Sequence, residues 1–218
     1  MIPETLEELI DPQYTAVAVV DAQNDFCKEG GYAHEYGGDL TGYREAIENI
    51  RRLVEEARRV GALVVYTMNT ALHNHASDSA ALLYYWIKDW AQGDPDRIPN
   101  VTVEGTWGEE IVDELKPREG DVVVKKNRSS GFIQTNLDLV LRNHGVKTLV
   151  TVGFVSNGCV FATARDGDMF DYFIVVAKDA VNSPRKDLHA PAMKLMEWRF
   201  DVYSTDQLIE AWKKKKRR

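Results

Sequence analysis

Thr15-Ala16-Val17-Ala18-Val19-Val20-Asp21 decides the fold. Residues 16–20 form an unbroken apolar run of strand length with no polar alternation, as expected of a strand buried on both faces. Strands of that kind belong to parallel sheets sandwiched between helices, and the run ends on a carboxylate. Similar runs recur at residues 62–66, 122–125, 148–153 and 172–177, with a shorter one at 201–203. Helical patterns separate them, at 41–60, 107–115, 134–144, 159–170, 187–199 and 207–213. The first is the clearest: Ile47, Ile50, Leu53, Val54 and Ala57 form one apolar stripe, and Gly61 stops it.

Parallel strands need right-handed helical crossovers. The predicted fold is therefore α/β, a three-layer α/β/α sandwich around a six-stranded parallel, Rossmann-like sheet, short of the eight units of a barrel. At 218 residues, and roughly 150 residues per domain, residues 1–218 read as a single domain. The stretch 67–106 has no readable period but holds Tyr84, Tyr85, Trp86 and Trp90. A long insertion of this sort in a small domain tends to be functional.

Composition narrows the class. Hydrophobic residues at 44% and charged residues at 28% fit a folded soluble chain and exclude disorder. No window reaches the length of a membrane span, and Met1-Ile2-Pro3-Glu4 lacks a secretory pattern. Cys27 and Cys159 make no disulfide framework, so a reducing cytoplasm is expected. A formal charge of −7, with all six residues of the tail 213–218 basic, leaves an acidic body unsuited to tracking phosphates. No nucleic-acid partner is expected, and the tail reads as a solvated end.

Ligands of open parallel sheets bind beyond the carboxyl ends of the strands. Three chemical groups fall there: Asp21, the pair Lys125 and Lys126, and Cys159 after the turn 154–158. Alone, each has an ordinary structural role. Together, a carboxylate, an amine and a thiol make a nucleophile set. A thiol opening a helix feels its positive end, a lysine favours thiolate, and Asp21 is a natural proton acceptor. The turn before Cys159 offers backbone N–H groups for an oxyanion. Neighbouring strand residues face opposite ways, so one lysine enters the site, and spacing leaves both open.

These residues resemble the isochorismatase-like cysteine hydrolases. Val19-Val20-Asp21-Ala22-Gln23-Asn24-Asp25-Phe26 is similar to their first motif, and Lys126-Asn127-Arg128-Ser129-Ser130-Gly131-Phe132, with Thr135, Leu137 and Asp138, to their lysine motif. Gly153-Phe154-Val155-Ser156-Asn157-Gly158-Cys159-Val160, then Thr163, Ala164 and Arg165, is similar to their nucleophile motif. The resemblance implies the isochorismatase-like hydrolase fold and a triad of Asp21, Lys126 and Cys159, choosing Lys126 over Lys125. It also implies a cis peptide between Phe154 and Val155, an oxyanion hole from the Val155 and Cys159 amides, no cofactor, and a homo-oligomer, dimer or tetramer. Ser156 and Asn157 depart from the threonine and aspartate common in that turn; hydroxyl and shape are kept.

Cys159 argues against the isochorismatases themselves, which typically lack it. The nicotinamidase branch carries an Asp-x-His metal pattern after its second strand. Here that stretch contains His73-Asn74-His75 with no aspartate in place, and no metal is expected. The loop 25–32, Glu104-Gly105-Thr106-Trp107 and Pro117-Arg118-Glu119-Gly120-Asp121 resemble members acting on ureido and carbamoyl amides. A cysteine amidohydrolase for a small amide of that type is the expected function. A nicotinamidase-type enzyme is the alternative within the family. A non-catalytic binding or redox-sensing module is the alternative outside it. Asn24, Phe26, Tyr32, Asn69, Trp107 and Arg128 are the substrate-pocket candidates, Arg128 because a guanidinium fork suits a carboxylate.

Overall fold

The computed structural model describes residues 2–215. Six strands, β1 (Thr15–Val20), β2 (Leu63–Asn69), β3 (Val122–Lys126), β4 (Thr148–Phe154), β5 (Phe173–Asn182) and β6 (Asp201–Tyr203), form one sheet in the order β3-β2-β1-β4-β5-β6. Every pairing is parallel. The helices that cover it are α1 (Tyr43–Val60), α2 (Ala80–Asp89), α3 (Leu137–Asn143), α4 (Phe161–Met169), α5 (Lys186–Arg199) and α6 (Thr205–Lys215). Among the described residues no helix is long and apolar enough to cross a membrane.

β1 is buried at every residue, and its side chains alternate between two cores. Val17 and Val19 pack with Ile50, Leu53 and Trp212 of α1 and α6. Ala16, Ala18 and Val20 pack with Leu137, Ala164 and Met196 of α3, α4 and α5. That alternation makes the three layers. β1 lies where the strand order reverses, so a crevice opens between the ends of β1 and β4. Val20 pairs with Gly153 across it. A side chain at Gly153 would bring a Cβ within 2.1 Å of the Val20 carbonyl oxygen, so only glycine lets the two strands close just below the crevice.

The structure corrects several predicted elements. Residues 107–115 form two short turns, Trp107–Glu109 and Asp113–Leu115, in place of one helix. Their backbone bonds outward: Val112 N donates to Ala22 O at 2.9 Å, and Asn24 N to Glu110 O at 2.9 Å. α3 begins at Leu137 because Gln134 has a φ of 57° and the Thr135 hydroxyl caps Leu137 N at 3.1 Å. β2 and β5 run further than the apolar runs do, since Met68 and Asn69 pair with Lys125 and Lys126, and Val181 and Asn182 pair with Gly153 and Phe154. Within 67–106, Tyr84, Tyr85 and Trp86 fall on α2, which Ser79 caps, and Trp90 directly follows it. Of the basic tail, Lys213 and Lys214 continue α6, whereas residues 216–218 lie outside the described residues.

Candidate active site

Asp21, Lys126 and Cys159 come together at the carboxyl edge of the sheet. Asp21 follows β1 with a φ of 46°, turning the chain off the strand while its amide still donates to Thr67 O at 3.1 Å. Its Oδ1 accepts from the Thr67 hydroxyl at 2.7 Å. Lys126 Nζ lies 2.6 Å from Asp21 Oδ2, and neither side chain has any solvent exposure. The ammonium also donates to Arg128 O at 2.9 Å. Both Asp21 and Lys126 act electrostatically on the nearby Cys159 thiol.

Lys125 points the other way. Its half-exposed ammonium meets Glu109 at 2.9 Å and Glu104 at 3.3 Å. Glu109 in turn accepts from the Thr70 hydroxyl at 2.7 Å and Gly105 N at 2.8 Å. This is a brace across the ends of β2 and β3, apart from the thiol.

Electrostatics assign the resting protons. Burial pushes the Cys159 thiol up to about 12; Lys126 pulls it back down and Asp21 pushes it further up. For Lys126, burial acts downward, but Asp21 and then Cys159 outweigh it and hold the ammonium above the ordinary lysine value. The resting state is an Asp21–Lys126 ion pair beside a protonated thiol. Desolvation opposes the thiolate that a helix start and a neighbouring ammonium favour.

Cys159 sits in a wide turn, Ser156–Val160, that leads into α4. The peptide between Phe154 and Val155 is cis. Two side-chain bonds anchor the turn to the β5–α5 connection and to α5 itself. Asn157 Oδ1 accepts from the Ser183 hydroxyl at 2.5 Å, and Ser156 Oγ lies 2.8 Å from His189 Nδ1. Sequence reading did not single out Ser183 or His189, since nothing local links them to residue 156.

His189 also makes a pH test. Burial, then nearby Lys186, holds its imidazole below the ordinary histidine value. The neutral ring is therefore favoured by folding, and its stabilisation is complete above the unfolded value near 6.5 and lost as pH falls through the lower folded value. We predict that His189→Gln removes part of the acid-side decline in melting temperature. Parallel melting curves for variant and wild type between pH 7 and pH 5 would refute this.

A cavity of 520 Å³ opens over Cys159. One wall is polar and comes from the ends of β2 and β3: Asn69, Thr70, Asn127, Arg128 and Ser129. The other is apolar and includes Phe26, Tyr32, Leu82, Trp86 and Trp90. Of the pocket candidates, Phe26, Tyr32, Asn69 and Arg128 line this cavity; Asn24 and Trp107 do not. Asn24 Nδ2 donates to Trp107 O at 2.8 Å, and the Trp107 ring is half exposed, so this pair ties one loop to another behind the wall. The guanidinium of Arg128 is steadied by Ser77 O at 3.1 Å and Asn127 O at 2.6 Å. The α2 aromatics were visible in the sequence but carried no spacing that aimed them at a site. A second cavity, of 400 Å³, lies at the opposite ends of the strands near Thr15, Gly61 and Val146, away from all three chemical groups.

No cluster of three or more metal-ligating side chains occurs among the described residues. His75 Nδ1 lies 2.8 Å from Asp78 Oδ2, and His73 shares its short turn.

Comparison with known proteins agrees with this architecture. The ureidoacrylate amidohydrolase RutB of Agrobacterium fabrum is 38% identical over 177 residues, which cover 79% of this chain and 78% of that protein. A cysteine hydrolase from Pseudomonas syringae pv. phaseolicola superposes with a TM-score of 0.78 at 25% identity, covering 94% of this chain and 95% of the other. N-carbamoylsarcosine amidase from Thermoplasma acidophilum does so with a TM-score of 0.68 at 28% identity, covering 88% and 96%. The isochorismatase domain model matches residues 15–207, from the first residue of β1 into α6, and the chain belongs to the isochorismatase family.

Proposed function

We propose that this chain is a cysteine amidohydrolase that cleaves a C–N bond of a ureido or carbamoyl amide. The observation that carries the reading is the fully buried Asp21–Lys126 pair acting on Cys159, which lines an open cavity. Similarity to enzymes named for ureidoacrylate and N-carbamoylsarcosine supports the substrate class.

The steps balance without a cofactor. Asp21 takes the thiol proton as sulfur attacks the carbonyl carbon, giving a tetrahedral oxyanion held by the Val155 and Cys159 amides. The same proton passes to the departing nitrogen, the C–N bond breaks, and ammonia or an amine leaves an S-acyl enzyme. Water, deprotonated by Asp21, attacks that acyl carbon, and the C–S bond breaks to return the thiol and an acid. For a ureido substrate the acyl enzyme is a thiocarbamate and the acid a carbamic acid. Lys126 is the counter-charge to Asp21 and balances charge throughout. The reading places the enzyme in a reducing cytoplasm, to which two unpaired cysteines lend support. It also takes the chain to be a homo-oligomer, to which exposed Leu195 and Trp198 on α5 lend apolar surface.

The test is ammonia release from ureidoacrylate, biuret, N-carbamoyl amino acids and nicotinamide, before and after exhaustive chelation. We expect ureido or carbamoyl compounds to exceed nicotinamide in kcat/KM, with no loss on chelation. Nicotinamide winning would favour the nicotinamidase-type reading. Activity lost to the chelator and restored by zinc would remove the metal-independent part.

A further inference from the structure

We propose that the wall built by Tyr32, Trp86 and Trp90 is a subsite for a flat apolar arm, aryl or extended alkenyl, carried by the amide substrate. The inference rests on the amidohydrolase reading and narrows its substrate class.

Three observations carry it. A space of 520 Å³ is in the range of pockets that hold drug-sized ligands, far more than a bare ureido group fills. Its lining is mixed in character: the ends of β2 and β3 and the residues Asp78 and Ser79 before α2 supply polar groups, whereas Tyr32, Trp86 and Trp90 supply aromatic surface. That aromatic surface is built in advance. The Tyr32 ring meets Trp90 at 4.9 Å, Trp86 at 5.6 Å and Phe26 at 6.4 Å between centroids, mostly in tilted or edge-on geometry. Trp86 and Trp90 are only partly buried and line the cavity beside the buried Tyr32, so indole surface is available to a flat group.

The wall is also fixed from behind. Buried Asp25 accepts from Tyr32 N at 3.2 Å and from Thr102 N at 2.6 Å, joining the loop of Tyr32 to the segment that supplies Val101. Gly108 packs against the same carboxylate so closely that a Cβ there would lie 2.3 Å from Oδ2. Arg185 reaches from the start of α5 to Asp89 at the end of α2, at 3.4 Å. A wall held at three points gains affinity for an apolar arm with little ordering cost. A carboxylate on the same substrate has Arg128 across the cavity.

The experiment compares N-carbamoylglycine with N-carbamoylphenylalanine, which differ by a benzyl arm. Burial of a phenyl group predicts a kcat/KM at least about tenfold higher for the phenylalanine compound. Trp86→Ala should shrink that ratio at least about fivefold, and Trp86→Phe should restore most of it; melting curves report whether each variant folds. In parallel, quenching of tryptophan fluorescence in Cys159→Ser measures binding of both compounds without turnover, and the same ratio is expected. Turnover with equal or lower kcat/KM for the armed compound, or an unchanged ratio in folded Trp86→Ala, overturns the subsite. No turnover of either compound by the wild type counts against the amidohydrolase reading alone. In that case a binding preference of at least about tenfold upholds the subsite, and equal binding overturns it.

Discussion

Replacing Cys159 by alanine is expected to lower turnover by three orders of magnitude or more, the scale on which losing a nucleophile acts. Stability should change by no more than about 1 kcal/mol, because Cys159 is only partly buried at the margin of its core. Cys27 is the internal control. It is buried, away from the cavity, and its thiol is held well up by burial. Cys27→Ala should therefore keep activity within a few-fold. The state of the Cys159 proton is testable in the same protein. With the thiol pushed up to about 12, alkylation by iodoacetamide should keep rising with pH across the neutral range, and substrate should protect. A plateau already reached near pH 6 would mean a standing thiolate. The proton would then leave before substrate arrives, not as sulfur attacks.

The fold was legible because burial writes itself into composition. Residues 16–20 are a continuous apolar run and 148–152 are interrupted only by Thr148 and Thr151, and such strands have helices on both sides. Strand ends were harder to read. β2 continues through Thr67, Met68 and Asn69, a stretch that looks like loop; Thr67 bonds Asp21 and Asn69 lines the cavity. The predicted helix at 107–115 failed for a related reason: its backbone bonds to the loop after β1, a partner more than 80 positions away in places that no local pattern announces. The three chemical groups were readable because the end of a parallel strand is a place, and Asp21, Lys126 and Cys159 each follow from one. Choosing between Lys125 and Lys126 needed more than spacing, and the structure separates them by burial and by partner, Lys126 meeting Asp21 and Lys125 meeting Glu104 and Glu109. The cavity's apolar wall was not readable, since Tyr32, Trp86 and Trp90 meet only through tertiary contact. His189 and Ser183, which anchor the nucleophile turn, are invisible for the same reason.

Lys126→Ala and Lys125→Ala should differ by two orders of magnitude in turnover, although the residues are adjacent. Lys125→Ala removes two ion pairs made by a half-exposed side chain, which contributes about 1 kcal/mol or less, and activity should stay within a few-fold. Lys126→Ala leaves Asp21 buried with no counter-charge. Breaking such a pair costs about 3–5 kcal/mol of stability, and we expect at least a ~100-fold loss of activity besides, through loss of proton transfer. Asp21→Asn strands Lys126 in the same way and should look similar. Activity lost through weakened folding and activity lost through chemistry are then entangled, and the double variant Asp21→Asn/Lys126→Met separates them. It removes both charges and fills the space, so much of the stability should return, while the thiol still has no proton acceptor. A stable, inactive double variant supports proton transfer by the pair. A double variant that regains stability and turnover together would reduce Asp21 and Lys126 to a structural prop, and the acceptor for the Cys159 proton would have to be sought elsewhere along the cavity.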